Sequence, residues 1–140
     1  MRAVVIYESL TGNTARAAEL IADSARVDGV DISVFSIDAI GLKELADADV
    51  VFLGTWVDGL ILFGHRPGRK AKLRRMPVID GKRTALFMTY AVHPGKALER
   101  FARVAEERGA VVVSRQLFRR DRLEVGIDDF VQVTLAAVPV

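Results

Sequence analysis

Residues Ala3–Thr14 read AVVIYESLTGNT, and this stretch decides the fold. Its first five residues, AVVIY, are apolar without alternation, the pattern of a strand covered on both faces of a sheet. Asn13–Ala25 follows with Ala15, Ala18, Leu20, Ile21 and Ala25 near helical spacing. The loop between them, Ser9-Leu10-Thr11-Gly12-Asn13-Thr14, joins a buried strand directly to a helix.

The same alternation runs outward along the chain. Gly29 punctuates before a second strand, Val30–Phe35, and Ile40–Ala48 reads as a short helix. Val50–Leu53 is a third strand, Arg83–Thr89 a fourth and Ala110–Phe118 a fifth. Pro94 opens a helix to about Arg108, with Leu98, Phe101 and Val104 as its apolar stripe, and Ile127–Ala137 is the last helix. Five strands alternating with about five helices predict an α/β fold: a doubly wound five-stranded parallel sheet, order 2-1-3-4-5, with helices on both faces. No repeat or linker interrupts the 140 residues, so one domain over 1–140 is expected. In such sheets ligands bind beyond the carboxyl ends of the strands. The informative loops begin near Glu8, Gly54 and Tyr90.

Composition narrows the chemistry. No Cys is present, which excludes disulfides, thiolate metal sites and thiol catalysis. His65 and His93 lack metal-ligand spacing, so no metal site is expected, and no Gly-x-Ser-x-Gly nucleophile elbow occurs. The phospho-receiver pattern also fails, because Glu8 alone follows the first strand and Gly54-Thr55 follows the third. No catalytic residue is assigned. No apolar run is long enough to span a bilayer, and Met1 leads straight into a strand without a basic leader, so a cytoplasmic location without membrane attachment is expected.

The loop Ser9–Thr14 suits an anion. A helix N-terminus leaves backbone N–H groups unpaired and carries partial positive charge. Ser9, Thr11 and Thr14 add hydroxyls, Asn13 an amide, and Gly12 a backbone that can approach closely. Together they can hold a phosphate without a lysine. The Gly-Lys-Ser/Thr of a triphosphate loop and the three spaced glycines of a dinucleotide fingerprint are both missing. The bland alternative is an ordinary capped helix N-terminus.

VVIYESLTGNT resembles the phosphate loop of the flavodoxin family, Thr/Ser-x-Thr-Gly-x-Thr, and matches it at Ser9, Thr11, Gly12 and Thr14. Ile79–Thr89, IDGKRTALFMT, is similar to the lead into flavodoxin strand four, and the likeness covers essentially the whole chain at short-chain flavodoxin length. It implies a flavodoxin-like fold, FMN as cofactor and one-electron transfer between redox partners. It places the FMN phosphate on Ser9, Leu10, Thr11, Gly12, Asn13 and Thr14. It places the isoalloxazine ring beside Thr55, Trp56, Val57, Asp58 and Gly59, with Trp56 stacked on it. Tyr90 then lies against the other ring face, and backbone N–H groups of Ala91, Val92 and His93 meet the pyrimidine edge. The family's common Trp-Gly-Asp order is replaced here by Trp-Val-Asp-Gly. Two other readings stand beside the carrier: a small FMN-dependent oxidoreductase, similar to protoporphyrinogen oxidases or quinone reductases, and a binding module that has lost FMN.

Charge is unevenly spread. Residues 1–60 hold 4 Lys+Arg against 10 Asp+Glu, whereas 61–123 hold 16 against 5. The segment Arg66–Arg75 carries six Lys+Arg and no acid, and Arg115, Arg119, Arg120 and Arg122 form a second cluster. A solvated helix face, docking of an acidic redox partner and nucleic-acid or anionic-membrane binding are the three readings. No nucleic-acid motif accompanies the charge, so no nucleic-acid or membrane partner is expected; the resemblance implies a redox protein partner, and for Arg66–Arg75 a solvated face and the docking of that partner both stay open. Familiar flavodoxins are acidic overall, and this stretch departs from them.

Overall fold

A computed structural model describes residues 1–57 and 79–139. Five parallel strands form one sheet in the order β2-β1-β3-β4-β5: β1 Arg2–Tyr7, β2 Asp31–Ser36, β3 Val50–Trp56, β4 Arg83–Tyr90 and β5 Val111–Arg119. Four helices lie among the described residues: α1 Asn13–Val27, α2 Leu42–Asp47, α3 Ala97–Glu107 and α4 Ile127–Ala136. The expected doubly wound sheet is therefore the observed one.

The apolar strands are covered on both sides. Successive side chains point to opposite faces of a strand. Ala3, Val5, Phe52, Ala85 and Phe87 accordingly pack under α1 and α4, whereas Val4, Ile6, Val51, Leu53, Leu86 and Met88 pack under α2 and α3. Helix α1 turns Ala17, Ala18, Ile21, Ala22 and Ala25 inward, and these small residues let it lie close to the sheet. Phe130 of α4 meets Phe52, Phe87 and Phe118 in edge-on ring contacts, with centroids 5.7–6.4 Å apart. Each such buried ring contributes about 1.5–3 kcal/mol of burial. Strand β5 lies at the sheet edge and is only partly covered, with Arg115, Gln116 and Arg119 exposed along it.

Element ends differ from the sequence reading mainly at β3, which continues to Trp56 rather than stopping at Leu53. Register explains the extension: Gly54 pairs with Phe87, Thr55 with Met88 and Trp56 with Thr89. The Glu8 N–H also donates to the Gly54 carbonyl, and the Val57 N–H to the Thr89 carbonyl, both at 2.9 Å. Gly54 is thus a strand residue, packed beneath the Phe87 ring. Helix α3 begins at Ala97, three residues after Pro94, because Pro94 and Gly95 (φ 54°) form a turn ahead of it.

Candidate functional site

The carboxyl ends of β1, β3, β4 and β5 surround one cleft. One side, the loop from β1 to α1, carries Ser9, Leu10, Thr11, Asn13 and Thr14. Opposite are Trp56 and Val57 from the end of β3, and Thr89, Tyr90 and Ala91 from the end of β4. Arg120, just past β5, completes the lining.

The loop is held by its own polar groups. Gly12 precedes α1 with φ 94°, a conformation that favours glycine, and no atom lies within 4 Å of the place a Cβ would take. Its N–H donates to Ser9 Oγ at 3.1 Å. Asn13 Nδ2 donates to Thr11 Oγ1 at 3.3 Å. No acidic residue stands in the first turn of α1 and no side chain caps it. The positive end of this helix is therefore not neutralised by a side chain of its own first turn.

Thr14 behaves differently from its neighbours. It is buried, and its hydroxyl is 2.9 Å from the Thr89 hydroxyl. That bond ties the first turn of α1 to the end of β4. A serine or threonine hydroxyl can donate one bond and accept others. Thr14 can thus brace Thr89 while sharing a ligand with Ser9 and Thr11.

The predicted ring residues divide. Trp56 is half-buried at the end of β3, on the α1 face of the sheet, and Tyr90 is half-buried at the end of β4. Both line the cleft, as do Val57 and Ala91. Thr55 does not: it is fully buried within β3, and the strand's alternation turns it toward the α2 and α3 side. Val92 and His93 are exposed and stand outside the cleft lining. Gly12 lines a neighbouring hollow with Tyr7, Glu8, Ser9, Ala15 and Ser36. Asp58 and Gly59 lie outside the described residues, as do Leu60–Phe63, His65 and the basic segment Arg66–Arg75.

Two residues of the cleft were not singled out from the sequence. Thr89 reads as the last residue of a strand, and the tertiary fold gives it its place in the cleft lining beside Thr14. Arg120 was read as one member of a basic cluster. The available signal was strand order, since β5 lies beside β4 and its end must come near Tyr90. The Arg120 N–H indeed donates to the Tyr90 carbonyl at 2.9 Å.

These features define a doubly wound α/β protein whose neutral, hydroxyl-rich loop after β1 shares a cleft with two aromatic side chains. Residues 4–117 match the Flavodoxin domain family, and the chain belongs to that family. The flavodoxin of Clostridium beijerinckii is 27% identical over 128 residues, covering 91% of this chain and 93% of that protein. The flavodoxin of Megasphaera elsdenii is 25% identical over 109 residues, covering 78% and 80%. A solved flavodoxin from the domain Archaea superposes with a TM-score of 0.62 at 27% identity, covering 94% of this chain and 99% of that one. Oxidised Flavodoxin 1 from Bacillus cereus gives 0.71 at 22% identity, covering 98% and 97%, a likeness of fold. Flavodoxins bind FMN and transfer electrons to redox partners, and this function comes with membership. The oxidoreductase and FMN-free alternatives are not favoured. No helix among the described residues is long and apolar enough to cross a membrane.

Proposed function

We propose that this chain carries electrons on an FMN held in the cleft between the Ser9–Thr14 loop and the ends of β3 and β4, and that a redox protein of acidic surface docks beside it. The observation carrying the reading is the convergence of the anion loop, Trp56 and Tyr90 on one cleft.

The described residues fit FMN chemically. Hydroxyls of Ser9 and Thr11, the Asn13 amide and the first backbone N–H groups of α1 are the donors a phosphate needs. Trp56 and Tyr90 offer flat apolar surfaces to a ring and reduce its contact with water. Ala91 is small, so the backbone after β4 can reach a polar ring edge. Bound FMN would supply the electron-accepting ring. The chain orients that ring through the rigid ends of β3 and β4, whose pairing continues to Trp56 and Tyr90.

Docking is argued from charge. The stretch 61–123 is net basic, and within it Arg115 stands exposed on β5. Opposed patches of charge raise encounter rates and lose that advantage as salt screens them.

Purified protein should bind added FMN at micromolar concentration with a flavin absorption band, and absence of binding overturns the reading. Neutralising Arg66, Arg69, Lys70 and Lys72 should slow electron exchange with an acidic redox protein severalfold at low salt without changing FMN affinity. An unchanged rate removes the docking part alone.

A further inference from the structure

We infer that Arg120 supplies the positive charge for the FMN phosphate that the neutral loop Ser9–Thr14 lacks. The inference rests on the FMN reading of the cleft. A phosphate monoester carries roughly −1.5 to −2 charges near pH 7. A helix N-terminus offers the equivalent of about half a positive charge, and the loop contains no Lys or Arg. Most of the phosphate charge is therefore left without a counter-charge from the loop.

The tertiary structure brings one arginine to that cleft. Arg120 lines it together with Ser9, Thr11, Asn13 and Thr14. Its backbone N–H on the Tyr90 carbonyl continues the β4–β5 pairing one residue beyond β5. Phe118 pairs with Thr89 and packs under α1 and α4. Arg120, two residues on, opens the turn that follows β5, where the Arg122 N–H donates to the Arg119 carbonyl at 2.9 Å. Thr89 in turn bonds Thr14 at the N-terminus of α1. Arg120 and the first turn of α1 thus flank the same end of β4.

Its neighbour is used otherwise. Arg119 pairs with Asp121 at 3.0 Å. Among the described residues no carboxylate pairs with Arg120, so its guanidinium is available to an anion. A guanidinium can present two parallel N–H donors to phosphate oxygens, a geometry that lysine cannot match.

The test compares FMN with riboflavin, which has the same ring and no phosphate. Arg120→Ala should weaken FMN about ten- to a hundredfold while riboflavin affinity stays unchanged. It should also flatten the dependence of FMN affinity on salt. Arg120→Lys should restore only part of the loss. Arg122→Ala, which removes the same charge two residues away, is the control and should leave FMN affinity within about twofold. Equal weakening of FMN and riboflavin by Arg120→Ala would assign the arginine to the ring and overturn the inference. An equal effect of Arg122→Ala would reduce it to general electrostatics and overturn it too. Absence of FMN binding by the unaltered chain would instead remove the FMN reading, and this inference with it.

Discussion

The hydroxyls of Thr14 and Thr89 lie 2.9 Å apart in the buried junction between α1 and β4, although 75 residues separate them in the chain. The bond joins the loop before α1 to the strand end that carries Tyr90. Both residues are almost fully buried at the edge of the cleft, so each hydroxyl has the other as its side-chain partner.

Replacing Thr14 or Thr89 with valine keeps the shape and leaves the other hydroxyl without this partner. Each single change should cost about 1–3 kcal/mol of unfolding free energy. The double change should cost less than the two single costs combined, because no orphaned hydroxyl remains. A double-mutant cycle in urea measures the difference, and strict additivity would contradict the coupling.

Gly54 gives a second prediction, from packing. A Cβ at this position would overlap the Phe87 ring. Gly54→Ala should destabilise by about 3 kcal/mol, at the upper end of ordinary overpacking. Combining it with Phe87→Leu should recover at least ~1 kcal/mol relative to additivity, since the shorter side chain vacates the clash. Chemical denaturation of the single and double variants checks both values.

Trp56 is the only tryptophan, so its fluorescence reports on its own cleft. Adding FMN or riboflavin should quench it, and both titrations should saturate. Trp56→Ala should weaken the two ligands alike, by about 2 kcal/mol or some thirtyfold, in the range of aromatic stacking on a flat base. Trp56→Phe should lose less. This outcome is the opposite of the one expected for Arg120, so the pair separates ring contacts from phosphate contacts.

Much of the architecture was legible in local pattern. Unalternating runs such as Ala3–Tyr7 mark strands buried on both faces, and they were found within about a residue of their observed ends. The loop Ser9–Thr14 was equally legible, because strand, turn and helix follow one another within a dozen residues. The end of β3 was harder. Gly54 suggested a loop when read alone, whereas its pairing with Phe87 makes it a strand residue. The family resemblance sets Thr55 beside the ring, whereas one further step of pleat buries its side chain.

The sequence by itself determined the class of sheet, the loop between β1 and α1 and the family resemblance, since these depend on local pattern along the chain. The tertiary structure alone decided that Thr89 braces Thr14 and that Arg120, rather than another arginine of its cluster, enters the cleft. The physical reason is the parallel sheet. Each crossover returns the chain to the same edge, so the ends of β1, β3, β4 and β5 meet at one place. Side-chain alternation then selects which residues at the ends of β3 and β4 face α1, and the turn after β5 brings Arg120 into the cleft lining.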